Sequence, residues 1–257
     1  MADYLATLFS LSGRVALVTG GSSGIGRGMA RAIAGAGAHV VVLARSASAL
    51  DETVAKFRAA GMKADKVRAD LADRAEVARA VAEVTGSYGE PDILVNAAGV
   101  NLRPPLPELT TEDWEATMAV NLTAPFLLTQ AFAPAMAARG WGRVINVASQ
   151  QAFRAFGNSG GYGASKGGLM SLTRSQAEHW SRYGICCNVI VPGFVATPMT
   201  RVVASDPVRS AALATRTMVG RNGEPADFEG AAVFLASPAS GYVTGTAIFV
   251  DGGFSAT

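Results

Sequence analysis

The sequence predicts an α/β chain whose parallel sheet is covered by helices on both faces. Three observations carry that expectation. Short apolar runs alternate with longer helix-forming stretches throughout, the order in which strand–helix–strand units build a parallel sheet. Glycine is abundant, 29 of 257 residues, which suits tight turns between strand and helix. The chain is 49% hydrophobic and 16% charged, and its length is enough to bury one such domain, expected to be residues 1–257. It contains no internal repeat, linker or low-complexity tract.

The first strand is Val15-Ala16-Leu17-Val18. It runs into Thr19, Gly20, Gly21, Ser22, Ser23, Gly24, Ile25 and Gly26, and a helix of small residues follows. Strand, glycine turn and helix are the context of a dinucleotide loop. The glycines allow a tight turn and let the backbone approach a pyrophosphate, and the helix start offers free N–H groups and a positive dipole end. A plain strand–helix turn would not need three glycines in that phase. The second strand, 39–44, ends on Ala44 with Arg45 next. At that place an acid accepts the 2′-hydroxyl of NAD, whereas an arginine pairs with the 2′-phosphate of NADP. The acid is absent, so Arg45 argues for NADP; the alternative is a solvated surface arginine.

Residues 49–60 read as a helix closed by Gly61, and 66–69 as a third strand ending at Asp70 and Leu71. Asp70 can accept from an adenine amino group or cap the next helix. Asp73 is the better cap for the helix at 74–88, which leaves Asp70 for the base. The fourth strand, Ile93-Leu94-Val95, ends in Asn96-Ala97-Ala98-Gly99. Small residues at that edge let a flat ring lie close, and it is the edge where open α/β sheets bind ligands. A polar loop, 100–111, carries Arg103 with Pro104, Pro105 and Pro107. A long helix starts at Thr111; Asn121 interrupts its apolar run and Pro125 follows, marking either a kink or a site.

The fifth strand, 143–148, delivers Ser149, and a Gly-rich loop leads to a helix at 162–183 that carries Tyr162 and Lys166. Residues i and i+4 lie on one helix face about 5–6 Å apart. A lysine that close is expected to lower the tyrosine pKa from about 10 toward working pH. Such a tyrosine exchanges a proton with an alcohol oxygen, and Ser149 can hydrogen-bond the same oxygen. Alone, a Tyr-x-x-x-Lys pair is common on helix surfaces. The sixth strand, 185–191, ends at Pro192-Gly193. Residues 194–223, with Pro198 and Pro207, have a looser pattern and read as a lid. A helix at 225–235 and a seventh strand at 246–250, ending Asp251-Gly252-Gly253, complete the alternation.

A net charge of +2 gives no electrostatic case for nucleic acid or a membrane surface. Cys186 and Cys187 are adjacent and have no other partner; neighbours rarely bridge, so they read as reduced thiols filling a strand. Residues 1–12 lack a basic segment and place Asp3 ahead of a short apolar stretch, unlike a secretory signal. No apolar run reaches the roughly 18 residues of a membrane span. A cytoplasmic protein is expected.

Together these residues resemble the short-chain dehydrogenase/reductase family of the single-domain kind. The motifs are Thr19-Gly-x-x-x-Gly24-Ile25-Gly26, Asp70, Asn96-Ala97-Ala98-Gly99, Asn121, Ser149, Tyr162-x-x-x-Lys166, Pro192-Gly193 and Val250-Asp251-Gly252-Gly253, in order at family spacing over essentially the whole chain. The resemblance implies a Rossmann-type, doubly wound sheet of seven strands and a small-molecule carbonyl or alcohol substrate. It implies Tyr162 as proton donor and acceptor, Lys166 on the cofactor ribose, Ser149 on the carbonyl oxygen and Asn121 holding a relay water. Val195 and Thr197, beyond Pro192 and Gly193, join the implied cofactor site, as does Leu71. A homotetramer built on the helices after Thr111 and Tyr162 is implied as well. Ser23 stands where many NADP-using members have a basic residue, so NADP(H) is expected with NAD(H) as the alternative. His39 and His179 are the only histidines, and no metal site is expected.

Within the family, residues 96–104, Leu8-Phe9-Ser10-Leu11 and residues 220–225 resemble gluconate 5-dehydrogenases and related sugar-acid members. A sugar acid needs a cation for its carboxylate, and Arg103 and Arg154 lie on loops at the sheet's carboxyl edge. Gln150 and Gln151 can bind hydroxyls. Phe153, Phe156, Phe194 and Met199 point instead to a more apolar ketone. The alternatives are a 3-oxoacyl carrier-protein reductase, a broad reductase of apolar or cyclic ketones, and a non-enzymatic NADP sensor. The carrier-protein reductase needs a basic docking surface, and Met136-Ala137-Ala138-Arg139 offers one charge. A sensor has no need of the complete set Asn121, Ser149, Tyr162 and Lys166.

Overall fold

The structure, a computed structural model, describes residues 4–256; Asp3 lies outside them. The strands are β1 (Val15–Thr19), β2 (His39–Ala44), β3 (Ala64–Arg68), β4 (Ile93–Asn96), β5 (Gly142–Val147), β6 (Ile185–Pro192) and β7 (Ala247–Val250). They form one seven-stranded sheet in the order β3-β2-β1-β4-β5-β6-β7, and every paired register is parallel. This is the doubly wound order expected.

The helices are α1 (Tyr4–Phe9), α2 (Gly24–Gly35), α3 (Ala47–Ala59), α4 (Arg74–Tyr88), α5 (Thr111–Met118), α6 (Ala124–Ala138), α7 (Gly160–Trp180), α8 (Arg201–Ala204), α9 (Pro207–Thr215) and α10 (Glu229–Ala236). Successive strand residues alternate between two apolar layers, as a pleat covered on both faces requires. Ala16, Val18, Val40 and Val42 face Met29 and Ile33 of α2 and Leu235 of α10. Leu17, Val41 and Leu43 face Val84 of α4 and Leu128 and Phe132 of α6. Burying a side chain such as Phe132, which is fully enclosed, is worth roughly 1.5–3 kcal/mol.

Local chemistry sets the helix ends. Asp73 caps α4 as expected, accepting from Ala75 N at 2.7 Å. Ser46 caps α3 and moves its start to Ala47, two residues ahead of the expected one. The third strand starts at Ala64 because it pairs with Val40, and α7 starts at Gly160, so Tyr162 sits inside its first turn. The helix end at Trp180 is followed by a 3₁₀ turn, Ser181–Tyr183. The short helix α1 was not expected. Between α5 and α6 the backbone widens into a π turn, Ala119–Thr123. Pro125 has no N–H to give the Asn121 carbonyl, so the α-helical ladder cannot run through that point.

Cys186 and Cys187 are buried in β6 as free thiols, and burial pushes the Cys187 thiol up to about 12. No helix among the described residues is long and apolar enough to cross a membrane.

Candidate active site

The chain begins its sheet in the middle, winds outward to β3, then crosses back to β4. Connections from β1 and β4 therefore leave in opposite directions and open a crevice at their carboxyl ends. The crevice is built by backbone contact. A Cβ at Gly20, whose φ is +65°, would lie 2.7 Å from Ala98 Cα. One at Gly26 would lie 2.5 Å from the Gly20 carbonyl oxygen. Thr19 Oγ1 accepts from Ala97 N and Ala98 N, both at 3.1 Å, and so ties the end of β1 to the end of β4. Ser23 precedes α2 without capping it, leaving the first N–H groups of that helix without a side-chain acceptor.

Three adjoining cavities follow this edge. The first, about 520 Å³, is lined by Gly20, Ser22, Ser23, Arg45, Asp70, Leu71, Ala98 and Gly99. Ser46 and Val120 line it too, and neither was expected. The second, about 180 Å³, brings Gly24, Ile25, Gly26, Ala97, Pro192, Gly193, Val195 and Thr197 together with Ser149, Tyr162 and Lys166. The third, about 780 Å³, starts at Ser149 and Tyr162 and is walled by Arg103, Gln150, Phe156 and Met199. Val202 and Val203 of the expected lid also line it, as do Asn101, Arg209 and Leu213, which were unforeseen because a single side chain in a loose loop leaves no pattern in sequence.

A family model described as enoyl-(acyl carrier protein) reductase matches residues 20–255. The chain is 41% identical over 248 residues to a gluconate 5-dehydrogenase of Gluconobacter oxydans (strain 621H), covering 96% of this chain and 97% of that one. The chain belongs to the short-chain dehydrogenase/reductase family. Another relative is a galactitol 2-dehydrogenase (L-tagatose-forming) of Cereibacter sphaeroides, 39% identical, covering 98% of this chain and 99% of that one. A solved gluconate 5-dehydrogenase of Burkholderia cenocepacia J2315, in complex with NADP and tartrate, superposes with a TM-score of 0.94 at 40% identity, covering 99% and 100% of the two chains. Membership makes this chain an NAD(P)-dependent oxidoreductase.

Four expectations about this short-chain dehydrogenase/reductase need correcting. Lys166 does not lower the Tyr162 pKa here. Its Nζ lies 5.7 Å from the phenol ring centroid and donates to the Val147 carbonyl at 2.7 Å. Burial pushes the Tyr162 phenol up, with the Ser149 hydroxyl and the Arg103 charge pulling the other way. Burial also drives the Lys166 ammonium down to about 8. Asp70 is not free: Oδ1 accepts from Ala72 N at 3.0 Å, and Oδ2 faces Arg45 Nη1 at 3.6 Å. Asn96 lines none of the three cavities; its Nδ2 donates to Asn146 Oδ1 at 2.8 Å inside the sheet. Arg154 lies off the substrate cavity and donates to the Ser255 carbonyl at 2.6 Å.

Asn121 marks the kink, and it lines none of the three cavities. It sits in the π turn, fully buried, and its carboxamide grips Val100 from both sides, accepting from N and donating to O, each at 2.9 Å. Its Nδ2 also donates to Ser165 Oγ at 3.0 Å, which fixes α7 beside the loop after β4. Gly99 lies at this junction; a Cβ there would be 3.3 Å from Asn121 Oδ1 and 3.7 Å from Lys166 Nζ. Arg103 Nη2 donates to the Gly157 carbonyl at 2.7 Å and joins the two loops above Tyr162. Phe153 packs against Phe249, ring centroids 5.1 Å apart and tilted by 45°, and does not line the cavity, whereas Phe156 does.

Proposed function

We propose that the chain is an NADP(H)-dependent oxidoreductase that interconverts a keto-sugar acid such as 5-ketogluconate and its secondary alcohol. The observation that carries the sugar acid is the charge of the third cavity. Arg103 and Arg209 line it, and no Asp or Glu does, although Arg209 Nε also pairs with Asp206 Oδ2 at 3.3 Å outside that lining; the cavity opens onto Ser149 and Tyr162. The relatives named for gluconate support the same class. Arg45, Ser22, Ser23 and Ser46 around the first cavity, with no acid at the end of β2, favour the 2′-phosphate of NADP. The backbone cradle at Gly20 and Gly26 and the uncapped start of α2 suit its pyrophosphate.

Bound along the crevice, NADPH supplies the hydride. The protein holds the ketone against it and manages the developing charge on oxygen. Ser149 donates a hydrogen bond to that oxygen and Tyr162 gives it a proton. Lys166 puts a positive charge beside the ribose, and Asn121 fixes the loop and helix between which protons pass to solvent. Residues 194–223 act as the lid, since α8 and α9 bring Val202, Val203, Arg209 and Leu213 over the substrate cavity.

Arg103→Ala and Arg209→Ala are each expected to raise KM for 5-ketogluconate roughly tenfold, an effect of the size of one lost charge-assisted hydrogen bond. The same variants are expected to leave KM for an uncharged ketone little changed. Equal effects on charged and uncharged ketones would contradict a carboxylate-binding role. A second reading, reduction of apolar ketones, draws on Phe156, Met199 and Leu213 in the same wall.

The enzyme is further proposed to work in the cytoplasm as a homotetramer. Trp114 on α5 and Phe126 on α6 are each 41% exposed, which supports burial against other copies. Light scattering is expected to give the tetramer mass; a monomer at micromolar concentration would contradict it.

A further inference from the structure

Two acceptors on the wall of the substrate cavity have nothing to accept from. Gln150 is 4% exposed, yet its Oε1 has no hydrogen-bond partner. Asn101 Oδ1 is likewise enclosed and without one. Both residues line the cavity that opens onto Ser149 and Tyr162. An enclosed carbonyl oxygen without a donor is destabilising, and such atoms are uncommon unless something completes them.

Both amides are carried on firm supports. Gln150 follows Ser149 directly, and its backbone carbonyl accepts from Phe153 N and Arg154 N, each at 3.1 Å. Asn101 follows Val100, which the Asn121 carboxamide holds at both N and O. One acceptor therefore comes from the loop after β4 and the other from the loop after β5, the two strands whose ends frame the reacting centre. Gln151, the neighbouring amide, is already engaged, with its Oε1 accepting from Ser159 Oγ at 2.6 Å.

We propose that Gln150 Oε1 and Asn101 Oδ1 accept hydrogen bonds from two hydroxyl groups of the substrate. They are the determinants that make this cavity select a polyhydroxylated ketone over a bare one. The inference rests on the sugar-acid reading and deepens it. As these amides are placed, both atoms are acceptors and offer a carboxylate no donor. The acid is left to Arg103 and Arg209, and the cavity divides into a cationic part and a hydroxyl-reading part. Selectivity then comes chiefly from pairing: a substrate hydroxyl gives each oxygen the donor it lacks, whereas a ketone without hydroxyls leaves both unpaired.

The test compares two six-carbon keto acids, 5-ketogluconate and 5-oxohexanoate. They share the carboxylate, the skeleton and the position of the ketone, and only the first carries hydroxyls. In the wild-type enzyme kcat/KM with NADPH is expected to favour 5-ketogluconate by roughly 10⁴-fold, as in sites built to hydrogen-bond a substrate hydroxyl. Gln150→Leu and Asn101→Leu are each expected to shrink that ratio by about tenfold or more. The ratio is internal to each variant, so a partly unfolded preparation does not change it. A wild-type ratio near unity, with both acids reduced, would overturn the proposal and leave the carboxylate reading standing. Equal losses on both ketones in the variants would make the amides structural and overturn it as well. If neither acid is reduced while other ketones are, the sugar-acid reading falls and this proposal falls with it.

Discussion

Tyr162→Phe is expected to lower turnover roughly 10²–10⁴-fold, the range for loss of a positioned acid–base group, while NADPH binding persists. The phenol is almost wholly buried where the second and third cavities meet, and the change removes one oxygen from a ring that stays packed. The wild-type pH profile should carry the same group. Burial pushes this phenol up from its usual value of 10.0. Reduction uses the protonated form, which dominates below the pKa, so the acid is fully available through the neutral range. Oxidation uses the phenolate, whose fraction grows with pH, so kcat/KM for the alcohol should still be rising at about pH 10. A plateau in the oxidation limb below about pH 8 would contradict a buried phenol as the base. Turnover in Tyr162→Phe close to wild type would remove the tyrosine from the chemistry altogether.

Lys166→Met is expected to give a protein that is more stable and nearly inactive. Burial lowers the lysine from 10.5 to about 8, so the folded state binds this proton less tightly than the unfolded chain does. Below about pH 8 both states are protonated and the folded state bears the whole penalty, about 3 kcal/mol at roughly 1.4 kcal/mol per pKa unit. The penalty fades as pH rises from 8 toward 10.5. Methionine fills similar space without charge, although the Val147 carbonyl loses its donor, which returns roughly 1 kcal/mol. The net gain of about 2 kcal/mol should raise Tm at neutral pH by about 4–8 °C. The difference should narrow above about pH 8, where the wild-type lysine sheds its proton. Activity should fall about 10²-fold or more, since the charge at the meeting of ribose and phenol is gone. A lower Tm at pH 7 would contradict a net penalty for burying this cation.

Much of this was legible in the residues because backbone requirements write themselves into sequence. Gly20 and Gly26 are glycine because a Cβ would strike main-chain atoms, and such positions admit no substitute. The strands were legible because they are apolar on both sides, and Asp73 because a cap must sit at a fixed step before its helix. Side-chain direction was less legible. Tyr162 and Lys166 stand four residues apart, yet the ammonium turns to the end of β5, and nothing in the spacing records the Val147 carbonyl that draws it there. Arg154 and Arg103 looked equivalent as loop cations; only the fold sends one to Ser255 and the other over Tyr162. Asn96 matched a motif at the ligand edge, but its partner, Asn146, lies 50 residues away on the neighbouring strand. Arg209 lay in the loose stretch read as a lid, where no periodicity marks which side chains face inward.

The most direct measurement is the initial rate of NADPH and NADH oxidation with 5-ketogluconate, an acetoacetyl thioester and an aryl ketone. The expected result is a clear preference for NADPH and a rate with 5-ketogluconate well above the other two. That outcome would join Arg45 at one end of the crevice to Arg103 and Arg209 at the other. Turnover of the aryl ketone alone would keep Ser149, Tyr162 and Lys166 in their roles and contradict the sugar acid. It would assign the cavity to Phe156, Met199 and Leu213 instead.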